Sequence, residues 1–159
     1  MKTVYLLRHA HAENAPPEGG GDHERPLSKQ GEREALALGA WLRDAGISPG
    51  IILCSSSVRT TQTVFHALGK TDGAVFDRAL YQASAAKILR LIQGADDKAH
   101  SLLVVCHNPG VSECADLLGA ELGHISPATL VAFSADCESW RDFSPDLTQV
   151  GKVFVAETQ

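Results

Sequence analysis

The 159-residue chain lacks any apolar run long enough to cross a bilayer. Its longest, such as Leu102-Leu103-Val104-Val105, fall far short of the roughly 20 residues a spanning helix needs, so no membrane role is expected. The apolar stretch near Met1 is too short for a signal peptide and reads as a first strand, which implies a cytoplasmic protein. There is no surplus of basic charge. Fourteen Lys and Arg face nineteen Asp and Glu, a net charge of −5, and no basic stripe appears. That excludes a general nucleic-acid binder. Cys54, Cys106, Cys114 and Cys137 show no C-x-x-C spacing and read as free thiols. H-E-x-x-H and H-x-H-x-D-H patterns are missing. The nearest approach to a metal set is His9-x-His11 with Asp22-His23 and His107; His11 and His23 read instead as loop surface residues, and no metal is expected. Internal repeats and linkers are missing too, so residues 1–159 are expected to form one domain.

The remaining composition, 44% hydrophobic and 21% charged, is that of an ordinary globular protein. Buried strands are predicted over residues 4–7, 51–54 and 102–106. Helices are predicted from the Ser28 cap to Gly46, over 60–68, over 84–93, and over 111–118 after Pro109. Later strands are predicted at 129–133, 139–143 and 152–155. Alternating strands and helices imply an α/β fold: a three-layer sandwich with a mostly parallel central sheet, at least one antiparallel strand, and helices on both faces. Residues 14–25, with Pro16, Pro17 and Gly19-Gly20-Gly21, read as a loop.

In such sheets ligands bind beyond the carboxyl ends of the strands. Arg8-His9 follow the first predicted strand, Arg59 the second and His107 the third. Two arginines offer permanently charged forks that suit phosphate oxygens. Nearby positive charge depresses histidine pKa values and keeps the imidazole neutral and nucleophilic. The set is therefore suited to phosphoryl transfer through His9, with Arg8, Arg59 and His107 holding the oxygens in flight.

Four segments carry a family resemblance. Leu7-Arg8-His9-Ala10 resembles the R-H-G motif of the histidine phosphatase superfamily, the phosphoglycerate-mutase-like enzymes. Arg25-Pro26-Leu27-Ser28-Lys29-Gln30-Gly31 resembles that superfamily's L-[ST]-x-x-G segment, and Ser55 to Thr63 its S-x-x-x-R-[AT]-x-Q-T segment. Val104-Val105-Cys106-His107-Asn108-Pro109 is similar to its second-histidine segment. The short length and the Arg-Pro-Leu-Ser arrangement are most similar to the SixA-type branch. The resemblance implies that His9 takes the phosphoryl group and that Arg8, Arg59 and His107 bind it, with no metal or organic cofactor. It also implies a phosphorylated protein or small phosphorylated substrate, and phosphate or sulfate in the pocket.

The chain departs from the family pattern where an alkoxide leaving group would be protonated. Position 108 is Asn, where the acid-phosphatase branch has aspartate. Residues 77–82 do not match the mutase branch's glutamate segment. Glu13 and Asp22, with Glu24 beside them, are the remaining candidates for a general acid. A phosphohistidine can expel neutral imidazole and has less need of an acid, so the implied activity is dephosphorylation of phosphohistidine on a protein, at a shallow, open pocket. The alternatives are a small-molecule phosphomonoesterase of the same superfamily and a non-catalytic phospho-ligand binder. A cysteine phosphatase loop fits poorly, because Cys54 to Arg59 is C-x4-R, one residue short.

Overall fold

The computed structural model describes residues 1–156. Its centre is a six-stranded sheet of β1 (Lys2–Arg8), β2 (Ile51–Ser55), β3 (Ala74–Asp77), β4 (Ser101–Cys106), β5 (Leu130–Ala135) and β6 (Thr148–Phe154), in the order β3-β2-β4-β1-β5-β6. β1, β2, β3 and β4 pair in parallel; β5 runs antiparallel to both β1 and β6. The α-helices among the described residues are α1 (Lys29–Asp44), α2 (Val58–Leu68), α3 (Ala85–Gln93) and α4 (Gly110–Leu117).

Strand alternation divides the core into two layers. Val4 and Leu6 of β1 and Leu102, Val104 and Cys106 of β4 face Ile88, Ile92, Val111 and Cys114 of α3 and α4. Leu7, Leu103 and Val105 face the other way, against Leu38 and Leu42 of α1 and Val64 and Ala67 of α2. This is the expected three-layer α/β sandwich, mostly parallel with antiparallel strands, and the buried strands read as continuous apolar runs because both faces are covered.

Helix starts follow side-chain capping. Ser28 Oγ accepts from Gly31 N, Ser57 from Thr60 N and Ser84 from Lys87 N, each satisfying a backbone donor that the first turn leaves free. The expectation of a strand over 139–143 is corrected. Residues Trp140–Asp142 form a 3₁₀ turn. The Asp97 carboxylate accepts from Trp140 N at 2.8 Å, and the indole Nε1 donates to Ala99 O at 2.9 Å. Both Trp140 and Phe143 are fully buried and form a plug beneath α3. β3 is a further difference: it is short, and Val75 and Phe76 are exposed, so it presents no apolar run to read.

Candidate active site

Parallel pairing brings the ends of β1, β2 and β4 level: Arg8 is paired with Cys106, and Cys54 with Val105. The next residues in the chain are therefore neighbours. Arg8, His9, Arg59 and His107 all line one cleft of about 370 Å³, although 98 residues lie between the outermost two.

His9 is almost fully buried, and its ring centre lies 5.3 Å from that of His107. Its Nδ1 lies 2.7 Å from Ala10 O. A carbonyl can only accept, so Nδ1 carries the proton and Nε2 keeps its lone pair. The pKa of His9 is lowered to about 3, first by burial and then by His107, Arg8 and Arg59. His107 is likewise lowered to about 3, by burial, then Arg59 and Arg8. Desolvation is the first cause of the neutral rings, ahead of the arginines from which the sequence predicts them, and the cationic neighbours add to it.

Three buried side-chain nitrogens have no partner among the described residues: Arg8 Nε, Arg59 Nε and His107 Nδ1. Unpaired buried donors are costly and uncommon. All three belong to residues that line the cleft, and two permanently charged guanidiniums there suit an anion with several acceptor oxygens. His107 Nε2 lies 2.8 Å from Ser55 Oγ. If the hydroxyl donates, Nδ1 carries the proton and joins the arginines as a donor to that ligand.

The second ring of contacts explains the motif residues that sequence reading leaves without a role. Ala10 N donates to Thr63 Oγ1 at 3.0 Å, and Thr63 Oγ1 donates to Arg59 O at 2.7 Å, so one threonine ties the His9 segment to the helix carrying Arg59. Gln62 Oε1 accepts from Leu27 N at 2.8 Å. A Cβ on Gly31 would sit 1.9 Å from His11 O, so only glycine lets the chain after His9 cross the first turn of α1. Ala10, in place of the motif glycine, is fully buried in a small cluster with Leu27, Ala35 and Ala128, which has room for its methyl group. Asn108 spends both ends of its amide on structure: Nδ2 donates to Ile125 O, and Oδ1 accepts from Ser112 N and Oγ. The same Ile125 carbonyl accepts from Arg8 Nη1 at 2.9 Å.

The proposed acids separate. Glu13 is exposed and contributes nothing to the cleft wall, and Glu24 is exposed beside His23. Asp22 does reach the cleft, in the 3₁₀ turn Asp22–Glu24, but as a carboxylate that accepts from the Tyr81 hydroxyl, Arg25 Nε and Arg59 Nη2. Those contacts, Tyr81 first, hold it well below the usual carboxylate range, which is the wrong direction for a proton donor. The surface reading of His11 and His23 is corrected as well. His11 lines the cleft with Nδ1 2.6 Å from Ser28 Oγ, and His23 Nε2 lies 2.9 Å from Ser56 Oγ with its ring edge-on to Tyr81. Gln82 also lines the cleft, from a left-handed backbone position at φ 54°. No sequence signal singles out Tyr81 or Gln82.

Two competing chemistries lose support. Cys54 is buried in β2, with its thiol pushed up to about 12 by burial, so it is no thiolate nucleophile. No three His, Cys, Asp or Glu side chains among the described residues group closely enough to hold a metal. No described helix is long and apolar enough to cross a membrane.

Comparison with known proteins places this geometry in a group. A family model described as the histidine phosphatase superfamily (branch 1) matches residues 4–81. An uncharacterized Mycobacterium tuberculosis protein is 37% identical over 113 residues, 71% of each chain. Among solved structures, a protein of Nakamurella multipartitia assigned to the phosphohistidine phosphatase SixA superimposes with a TM-score of 0.87 at 28% identity, covering 99% of this chain and 97% of that one. The protein histidine phosphatase SixA solved in complex with tungstate shares the fold, with a TM-score of 0.78 at 20% identity and 95% of both chains covered.

Proposed function

We propose, for a chain that belongs to the histidine phosphatase superfamily and is of the SixA type, that it is a phosphatase whose intermediate is a phosphohistidine on His9. The observation that carries this reading is the protonation pattern of His9. Its Nδ1–H is fixed on Ala10 O and its Nε2 is bare, in a cleft lined by Arg8, Arg59 and His107, each with a buried nitrogen that has no partner among the described residues. Nε2 attacks phosphorus, the N–P bond forms, and the bond to the leaving group breaks with its electron pair going to that group. Arg8, Arg59 and His107 bind the three equatorial oxygens, whose charge they match. Water then attacks the phosphohistidine, returning the electron pair to Nε2 and releasing phosphate. The tungstate bound by the SixA homologue supports a site for a tetrahedral oxyanion.

The substrate in this proposal is phosphohistidine on a protein in the cytoplasm. The cleft offers amides at Gln82 and Asn108 and an ionised Asp22, and none of these can give a proton to an alkoxide. Neutral imidazole leaves without one. A small-molecule phosphomonoesterase is the second reading. His11 favours it, since Ser28 holds Nδ1 and no described residue pairs with Nε2. The deciding experiment offers a phosphohistidine-bearing protein and a panel of small monoesters to the same enzyme. Faster turnover of the phosphohistidine is expected, and faster turnover of the monoesters overturns the protein-substrate reading.

A further inference from the structure

Most polar groups of the cleft are donors, as an anion site requires. Asp22 is the exception, and it is firmly held. Arg59 donates twice to it, from Nη1 to the backbone oxygen at 2.8 Å and from Nη2 to Oδ2 at 3.0 Å. Arg25 Nε donates to Oδ1 at 2.8 Å and the Tyr81 hydroxyl to Oδ2. Tyr81 stands edge-on to both His107 and His23, with ring centres 5.4 and 4.9 Å apart. The turn is thus fastened at several points, although the stretch before it is exposed and rich in Gly and Pro.

A carboxylate beside a phosphate site repels the phosphate, so its presence needs a compensating role. The Arg59 guanidinium is divided. Its Nη groups serve Asp22, while its buried Nε has no partner. Both Arg59 and Arg8 line the cleft, so an anion can sit beside them while the Arg59 Nη groups keep Asp22 in place.

We infer that Asp22 is a specificity residue whose carboxylate accepts an N–H from the leaving group, so that the cleft selects phosphoryl groups carried by an imidazole over those carried by an alcohol. This rests on the phosphohistidine reading above. The substrate's phosphoryl group is bonded to one ring nitrogen, and the other ring nitrogen is protonated and donates to Asp22. When the P–N bond breaks, its electron pair returns to the first nitrogen and the imidazole leaves neutral, with no proton transferred in the step. Asp22 stabilises that protonated ring. An alcohol leaving group carries no such N–H, and its growing negative charge faces a carboxylate. The Tyr81, Arg25 and Arg59 contacts keep Asp22 ionised, so it has no proton to offer that oxygen.

The test uses one peptide phosphorylated on a single histidine and the same peptide with phosphoserine at that position. The readout is the ratio of the two kcat/KM values for the native protein, Asp22→Asn and Tyr81→Phe. The native ratio is expected to favour phosphohistidine. Asp22→Asn is expected to lower it by about tenfold or more, the worth of one charged hydrogen bond. Tyr81→Phe, which keeps the carboxylate but removes one of its anchors, is expected to lower it a few-fold. An unchanged or higher ratio in Asp22→Asn overturns the inference. A native protein that prefers phosphoserine overturns the substrate reading beneath it, before any variant is compared.

Discussion

The floor of the cleft and its rim are built on opposite terms. The floor (Arg8, His9, Arg59 and His107) stands on strand ends and the first turn of α2, and it leaves three buried nitrogens without partners. The rim (Asp22, His23, Arg25 and Tyr81) stands on loops and its groups are partnered: Asp22 by Arg25, Tyr81 and the floor's Arg59, and His23 by Ser56. An unpaired buried donor costs about 1–3 kcal/mol, so the floor is destabilised until a ligand fills it. The rim carries no such debt. Reactivity is thus held by the sheet's topology, and selection by contacts that can change without disturbing the fold.

The sharpest way to break this division is His9→Ala. If the floor alone carries the chemistry, phosphatase turnover falls by about 10⁴-fold or more, as for other lost nucleophiles, with the rim untouched. Full activity in that variant would end the phosphohistidine mechanism.

A second test separates the layers by pH. His9 and His107 have folded pKa values of about 3, below the value near 6.5 of an unfolded histidine. Above pH 6.5 neither state takes up a proton. As pH falls from 6.5 towards 3, only the unfolded chain is protonated, so stability is lost across that window. Asp22 acts in the same sense at lower pH, but it is 44% exposed and its effect is muted by solvent. Tm is expected to drop between pH 7 and pH 4, and a His9→Asn, His107→Asn double variant is expected to flatten that drop more than Asp22→Asn does. Equal flattening by the two would erase the distinction.

The smallest effect expected is from Gly31→Ala. Its methyl group would collide with His11 O, where the strand bearing the floor turns towards the rim. A loss of about 1–3 kcal/mol is expected by denaturant titration, with lower turnover because the segment after His9 must shift. Unchanged stability would show that the crossing is looser than it looks.

The floor was legible in the chain because each of its members adjoins an element that announces itself. β1, β2 and β4 read as apolar runs and Ser28 marks the start of α1, while α2 begins at Val58, two residues before the predicted start, and so takes Arg59 into its first turn. The rim was not. Tyr81 and Gln82 follow β3, a strand half exposed and only four residues long, and Asp22 lies in a loop whose composition says only that it is a loop. Its partners Arg59 and Tyr81 lie 37 and 59 positions away, a separation that no local pattern encodes. The mistaken strand at 139–143 has the same origin. Trp140 and Phe143 stand three positions apart and both fill a hole under α3, and Asp97 holds the backbone at Trp140 from more than 40 residues away.

The unequal burial of Asp22 and Arg59 has one more consequence. Asp22 is 44% exposed and Arg25 23%, whereas Arg59 is 4% exposed. Mobile ions screen charges that touch water and scarcely reach buried ones, and the Debye length contracts from about 30 Å at 0.01 M salt to about 3 Å at 1 M. Added salt therefore loosens the hold of Arg25 on the turn while leaving the buried floor almost unaffected. In dilute buffer and in brine the same molecule differs more in how strictly it chooses than in how fast it reacts.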